Sequence, residues 1–204
     1  MALNANALTT VENVRLQLEI PLASVDADLT AKLENLINAA SQAIENFTKR
    51  KLVQSIHTEF GDGDRSTLYV TRQWPITQVN ELWIDGSSEF TDTSAQLASD
   101  QYAIVDDGAA VQLIKGRVFS FGNYNVKVIY QAGFATTPSD LQFACDQYCE
   151  WLFRMQERRD IGRSSKSKGD ESVSMSQALP EHIQKLLEPY MRVEFANPRS
   201  VRTS

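Results

Sequence analysis

The sequence predicts an α+β fold: a small helical bundle with an inserted antiparallel β meander or sandwich and a mobile C-terminal tail. Apolar residues recur at helical spacing up to about residue 52 and again from residue 138. Between these stretches the period changes to two, and turn-forming residues separate short β-rich runs. A β block between two helical stretches indicates an insertion, so we expect the flanking helices to pack on one another.

Two helices are predicted before the β block. Thr9 or Thr10 is placed to cap a short first helix, which Pro21 ends, and Asp26 is placed to cap a longer second one. The apolar stripe of the second helix is Leu29, Leu33, Leu36, Ile37, Ala40, Ile44 and Phe47. The basic triplet 49–51 suits the end of this helix, where cations meet the negative pole of its dipole.

Six short runs in the middle of the chain predict β-strands. They are 53–60, 67–73, 79–84, 102–106, 110–114 and 125–131. The turn-forming pairs Asp62-Gly63, Asp85-Gly86 and Asp107-Gly108 lie between them. Strands joined in this way indicate a meander or a small sandwich rather than βαβ units.

A glycine turn and a third helix follow the last strand. Gly133 can adopt a positive φ, Thr137 is placed as N-cap with Pro138 at the first helical position, and Asp140 follows three residues after the cap. Leu141, Ala144, Cys145, Tyr148 and Leu152 share one face of this helix.

The C-terminal part divides into a polar segment, a short helix and a tail. Residues 163–177 are serine-rich and nearly free of large apolar side chains, so burial cannot offset their ordering entropy. A helix is predicted from Pro180 to Pro189. The predicted segments are the N-terminal helices of the bundle (1–52), the inserted antiparallel β domain (53–137), a long helix on the bundle (138–162), a flexible linker (163–178), and a short helix with a partner-docking tail (179–204).

The charge balance limits the classes of partner. The net charge is −6, and residues 51–137 carry six basic and ten acidic side chains. This balance argues against a general nucleic-acid binder, which normally shows a broad basic face. No apolar run is long enough to suggest a membrane span, and the N-terminus lacks the pattern of a secretory signal. Two cysteines make no disulfide framework, so a reducing, cytoplasmic site of synthesis fits best.

No catalytic group, metal site or cofactor is predicted. Cys145 and Cys149 share a helix face, but the two histidines, His57 and His182, lie in distant segments, so core packing is favoured over zinc binding or a Cys–His nucleophile. Residues 62–64 begin like a calcium loop but lack its remaining oxygen ligands, which favours a hairpin turn.

Two further groups of residues permit a binding role. The aromatic residues Trp74, Trp83, Phe119, Phe121 and Tyr124 fit either a stacking platform for single strands or, better in this acidic region, sheet core or a subunit contact. The basic run is Arg154, Arg158, Arg159, Arg163, Lys166 and Lys168. It fits a solvated helix end, a protein contact or a contact with the DNA backbone.

Four segments in order carry a family resemblance: the alanine-rich helix of residues 33–52, the tryptophan-proline strand of 74–86, the stretch from the tyrosine to the capped helix of 128–162, and the short helix of 179–190. In this succession the chain resembles the head–tail connector (adaptor, or head-completion) proteins of tailed bacteriophages and prophages. The arginine-containing tail after Tyr190 departs from the family pattern.

The resemblance implies a structural protein of the virion neck, present in the host cytoplasm before assembly. It implies a dodecameric ring that binds the portal of a DNA-filled head, extends the DNA channel, and offers a platform for the next neck (stopper) or tail protein. Genomic DNA would pass through without sequence-specific binding, and no membrane would be involved.

Two sets of site residues follow as hypotheses. The portal-docking set is Ile183, Leu186, Leu187, Tyr190, Arg192, Phe195, Arg199 and Arg202. The basic run from Arg154 to Lys168 is the second set, and it defines the rival interpretation, a nucleic-acid-binding module. Helices 27–50 and 138–161 are expected to form the ring scaffold.

Overall fold

The computed structural model describes residues 2–22, 26–157, 165–168, 171–174 and 179–191, two of these segments (165–168 and 171–174) by their backbone alone. The α-helices are α1 (Val11–Gln17), α2 (Ala27–Thr48), α3 (Ser139–Glu157) and α4 (Glu181–Leu187), with a 3-10 turn at Glu188–Tyr190. The strands are β1 (Ser55–Gly63), β2 (Leu68–Val70), β3 (Ile76–Ile84), β4 (Tyr102–Val105), β5 (Ala110–Leu113), β6 (Gly122–Ala132), β7 (Ser165–Lys168) and β8 (Glu171–Ser174). The predicted α+β class is confirmed.

The helical bundle forms around the stripe that the sequence predicts for α2. Asp26 caps this helix, since its carboxylate accepts from the backbone N–H groups of Asp28 and Leu29 at 3.0 and 3.2 Å. The buried side chains of the bundle are Leu8, Val14, Leu33, Leu36, Ile37, Ala40, Ile44, Leu52, Leu141, Ala144, Cys145, Tyr148, Cys149, Phe153, Ile183, Leu187 and Tyr190. The helices that flank the β block therefore share one core. No helix within the described ranges is long and apolar enough to cross a membrane.

A buried polar contact ties the first helix to the third. Thr10 caps α1, and the hydroxyl of the neighbouring Thr9 instead donates to Asp146 Oδ1 of α3 at 2.6 Å. Burial raises the pKa of the Asp146 carboxyl, and the hydrogen bond from Thr9 only partly opposes this shift. The folded state therefore carries a cost for ionising this group.

Replacing this carboxyl by an amide tests that cost. An acid whose pKa is higher in the folded than in the unfolded state binds more protons when folded, so its contribution to stability falls as pH rises above the unfolded pKa. Asp146→Asn keeps an acceptor for Thr9 and removes the charge. We expect a higher melting temperature than wild type at pH 7, with the gain shrinking towards pH 3, measured by thermal unfolding across that range. A gain that is independent of pH would contradict this account.

The β block is a sandwich of two three-stranded antiparallel sheets. Their strand orders are β1-β6-β3 and β2-β5-β4. The shared buried side chains are Ile76, Leu82, Leu97, Val111, Leu113, Phe119, Val126, Val128, Tyr130 and Ala132. In the first sheet β6 lies between β1 and β3, and in the second β5 pairs with both β2 and β4. The block is therefore not a simple meander, and of the two predicted arrangements the sandwich is the correct one.

The turn chemistry was predicted less well than the strands. Asp107-Gly108 joins the paired strands β4 and β5, as expected. The predicted hairpin at Asp62-Gly63 is wrong, because β1 and β2 belong to different sheets. A Cβ added at Gly63 would lie 1.8 Å from the carbonyl oxygen of Ser120, so glycine is required there by close backbone approach rather than by a turn.

The return from the sandwich to the bundle depends on Gly133. Its φ is +106°, and an added Cβ would lie 2.8 Å from the carbonyl carbon and oxygen of Val53, so the predicted positive φ is confirmed. Helix α3 begins at Ser139, one residue later than the predicted cap at Thr137 implies, and the carbonyl of Pro138 accepts its first hydrogen bond, from Gln142.

The segment predicted as a flexible linker, 163–178, contains β7 and β8. These strands pair antiparallel from Ser165 with Ser174 to Lys168 with Glu171. The sequence predicts no strand here because the runs are four residues long and have no apolar alternation. The mobility of the segment stays a prediction.

Candidate docking and assembly surfaces

The bundle and the sandwich meet around the side chain of Arg50, which is only 2% exposed. Its guanidinium donates to the carbonyl oxygens of Tyr190, at 3.1 Å, and of Trp74, and it lies 3.6 Å from the centroid of the Trp74 ring. Burial lowers the pKa of Arg50 to about 10, so it is still a cation at neutral pH. The triplet 49–51 follows the end of α2, as expected, but Arg50 is also buried there and joins α2, the sandwich and the C-terminal helix.

Backbone contacts surround this arginine and fix the base of the sandwich. The N–H of Phe134 donates to Leu52 O at 2.8 Å, and the N–H of Gln54 donates back to Phe134 O at 3.1 Å. The N–H of Lys51 donates to Gln73 Oε1 at 2.9 Å. The orientation of the sandwich on the bundle is thus set by several hydrogen bonds rather than by a single linker.

Four of the predicted portal-docking residues lie in the described C-terminal helix and turn. Ile183 and Leu187 are fully buried in the bundle, Tyr190 is 9% exposed and Leu186 is partly buried. They anchor the beginning of the tail to the molecule. The remaining predicted docking residues, Arg192, Phe195, Arg199 and Arg202, lie outside the described residues. Docking on a portal stays a prediction for the whole set.

Tyr190 is the last anchor before the tail. Its hydroxyl donates to Asp140 Oδ1 at 2.6 Å, and its ring lies edge-on to Phe134 with centroids 5.8 Å apart. Burial and the bond to Asp140 raise the pKa of the Tyr190 hydroxyl, so it stays protonated and able to donate. Asp140, predicted as part of a helix cap, therefore also holds the C-terminal segment.

The basic run is only partly described. Arg154 is exposed on α3 and forms an ion pair with Glu150, four residues earlier, at 2.7 Å. Lys166 and Lys168 occupy alternate positions of β7, and Arg158, Arg159 and Arg163 lie outside the described residues. The contact that this run makes stays a prediction.

The cysteines pack in the core, as the sequence favours. Both are fully buried in α3, with Cys145 Sγ 3.9 Å from Ser41 Oγ. The hydrogen bond to Cys145, together with burial, raises the pKa of the Cys149 thiol, which opposes thiolate chemistry. His57 lies in β1 with its Nε2 3.0 Å from Ser55 Oγ. Within the described ranges, no cluster of three His, Cys, Asp or Glu residues is arranged to hold a metal ion.

The aromatic residues that the sequence singles out divide into two groups. Phe119 is 1% exposed and belongs to the core of the sandwich, which agrees with the core interpretation. Trp83 is 7% exposed, but it is covered by Lys127 on the outer face of the sheet. Phe121 and Tyr124 are 64% and 53% exposed, and Trp74 lies under Arg50 at the junction. The exposed pair therefore leaves the second interpretation, a subunit contact, open.

An aromatic patch covers the outer face of the β1-β6-β3 sheet, at its end remote from the bundle. We define it as Phe60, Trp83, Phe90, Tyr124 and Lys127. Phe60 stacks on Tyr124 with centroids 4.8 Å apart and planes 11° apart, and it lies 5.5 Å from Phe90. Lys127 Nζ lies 5.4 Å from the Trp83 ring centroid and 5.8 Å from that of Phe90.

Two acidic side chains hold the patch in position. Phe90 and Tyr124 have φ values of +55° and +53°, which bulky residues seldom adopt. Asp85 Oδ2 accepts from the N–H of Phe90 at 2.8 Å, and Asp62 Oδ1 accepts from the N–H of Tyr124 at 2.6 Å. Hydrogen bonds from Ser87 and Phe90 lower the pKa of Asp85, which keeps it ionised. The two aromatic side chains are thus positioned in advance of any contact.

Known particles provide structures of the same fold. A chain from the neck of an empty gene transfer agent (GTA) particle, computed with C6 symmetry, matches with a TM-score of 0.59 and 18% identity, over 97% of this chain and 95% of that one. A chain from the virion of a native GTA particle matches with a TM-score of 0.59 and 20% identity over the same shares. One from the neck of the native particle, computed with C12 symmetry, gives 0.57 and 17%, again over 97% and 95%. At these identities the similarity shows a common fold, that of chains found in phage-like particles.

The family of the chain is shown by its sequence. The family model described as "Head completion protein" matches residues 7–193. The chain therefore belongs to the head completion protein family, which is structural and not enzymatic. A comparison with curated proteins finds no significant match.

Proposed function

We propose that the chain is the head–tail connector (adaptor) of a tailed phage or prophage, a ring beneath the portal that links the filled head to the tail. The observation that carries this proposal is the head-completion family match over residues 7–193. The fold shared with chains of GTA particles, two of them from necks, supports a place in the virion neck. Before assembly, the protein would be in the host cytoplasm.

The ring itself is supported by symmetry and by shape. The related necks were computed with C6 and C12 symmetry, and twelve copies is the number that the sequence resemblance implies. A closed ring needs two different, complementary surfaces on each copy. The bundle, with α2 and α3 as the scaffold, and the sandwich that projects from its end supply two such surfaces.

The acidic sandwich fits a channel through which DNA passes without binding. Residues 51–137 carry ten acidic and six basic side chains. A surface of this sign repels phosphates and lets a duplex slide. The ring extends the portal channel, the tail after Tyr190 binds the portal, and the opposite side of the ring receives the next neck or tail protein.

Reconstitution of tail joining tests the proposal. Tailless, DNA-filled heads made without this chain should regain tails and infectivity when the purified protein is added before the later neck and tail proteins. Two results would contradict the proposal: no gain of tails or infectivity, or a gain only when the protein is added before DNA packaging.

The rival nucleic-acid module makes a different prediction. It requires salt-sensitive binding to duplex DNA by the isolated protein, lost when Arg158, Arg159 and Arg163 are replaced by alanine. Such binding, combined with failure to restore tails, would overturn the connector assignment.

A further inference from the structure

The open part of the aromatic patch has the chemistry of a guanidinium site. Lys127 lies over Trp83 and Phe90, whereas no cation of the described chain stacks on the Phe60–Tyr124 pair. Aromatic faces attract guanidinium groups, and carboxylates bind them through paired hydrogen bonds. Asp62 and Glu89, both exposed, lie in the segments that carry these rings. The patch therefore fits an arginine-rich partner.

The chain itself contains an arginine-rich segment of the required charge. Residues 154–168 hold six basic side chains against Glu157 and Asp160, and four of the six are arginines within ten positions. The tail after Tyr190 is less basic, with three arginines and Glu194. Charge complementarity thus favours the segment 154–168 over the tail as the occupant.

The patch and the start of this segment, at the end of α3, lie at opposite ends of one molecule. Tyr124 is eight residues along β6 from Ala132 at the junction, about 26 Å at ~3.3 Å per residue. Helix α3 starts at the junction and runs through the bundle for about 28 Å, at ~1.5 Å per residue. Its end lies beside the start of α2, where Lys32 Nζ is 4.4 Å from the Phe153 ring centroid. The segment therefore begins far from the patch of its own chain.

We propose that the aromatic patch of one copy binds the arginine-rich segment 154–168 of the neighbouring copy. The contact is head-to-tail, with different surfaces on each copy, which is the type that closes into rings. The inference rests on the proposed connector function, because it identifies the interface that would hold the ring together. Guanidinium groups stack on Phe60 and Tyr124 and pair with the carboxylates of Asp62 and Glu89.

Disulfide trapping between full-length chains tests this interface even when assembly is weak. The native cysteines are buried, so single cysteines can be added beside the proposed contacts by Thr91→Cys, next to Phe90, in one preparation and Asp160→Cys in another. After mixing and mild oxidation, we expect a mixed dimer at a yield several-fold above that of Thr91→Cys with Asn46→Cys, an exposed control on α2. Adding Phe60→Ser and Tyr124→Ser to the Thr91→Cys chain should reduce the yield to the control level.

The outcomes separate this interface from the connector proposal. No mixed dimer above control, or a stronger one with Ser200→Cys in the tail, would overturn the interface. Rings seen by light scattering without this cross-link would support the connector proposal and reject the proposed interface. If the cross-link forms but the protein fails to join tails to heads, the proposed interface is supported and the connector proposal is rejected.

Discussion

Deleting residues 192–204 is expected to abolish attachment to DNA-filled heads while the folded protein keeps its stability. The described anchors of the C-terminal segment end at Tyr190, whose carbonyl accepts from Arg50 and whose hydroxyl donates to Asp140. The deletion starts beyond these contacts, so the bundle core stays complete. The deleted part contains Phe195 and three arginines. Both residue types are enriched at interfaces, and arginine is among those that contribute most binding energy.

The size of the effect follows from such anchors. Truncating a dominant interface residue costs about 2 kcal/mol or more, and each ~1.4 kcal/mol is a tenfold change in affinity. Loss of the whole tail, which removes several such residues, should therefore lower the affinity for the portal by more than about a hundredfold. The measurement is co-sedimentation of the protein with filled heads, alongside thermal unfolding of the free protein.

A matched control separates the tail's chemistry from its length. Replacing residues 192–204 by a Gly-Ser segment of equal length should bind as poorly as the deletion. A deletion that begins at Tyr190 should, in contrast, also lower the melting temperature, since it removes a buried anchor. Normal attachment by the 192–204 deletion would reject the tail as the portal-docking element.

Arg50→Ala is expected to destabilise the fold more than any surface change. It removes hydrogen bonds from a cation to two carbonyl oxygens, worth about 1.5–3 kcal/mol for such a charged donor, and a stacking contact with Trp74 of about 1–2 kcal/mol. The carbonyls of Trp74 and Tyr190 lose their donor in a buried place. We expect a loss of about 3 kcal/mol in the free energy of unfolding, measured by urea titration.

The control is the same substitution on an exposed arginine. Arg154 pairs only across one turn of α3 with Glu150, in the described structure, so Arg154→Ala should cost less than about 0.5 kcal/mol. Arg50→Lys should recover little, because one ammonium group cannot reproduce the flat fork that reaches two carbonyls. Equal effects of Arg50→Ala and Arg154→Ala would show that the junction does not depend on the buried cation.

Local signals in the sequence were sufficient for most of the fold. The cap at Asp26 and the apolar stripe that follows it predicted α2, and the period of two predicted the strands. The helix and the strands were therefore predicted close to their observed bounds. Gly133 was identified because few residues other than glycine adopt a positive φ readily. In each of these cases the physical cause lies within a few residues of its effect.

The features that were missed depend on residues far apart in the sequence. The sequence shows Arg50 only as one of three cations at the end of a helix. The return of Trp74 and Tyr190 to the same place is what buries it at the junction. The aromatic patch depends on β6 pairing between β1 and β3, which places Phe60, Lys127 and Trp83 opposite one another. No periodicity within one strand contains that register.

The most direct test of the connector assignment is molar mass by light scattering, across a concentration series, with and without purified portal. The monomer is 22.9 kDa. We expect either ring-sized assemblies of the free protein or a monomer that joins the portal in a fixed ratio consistent with a dodecameric ring. A protein that stays monomeric at all concentrations, ignores the portal and is retained on duplex DNA would contradict the account.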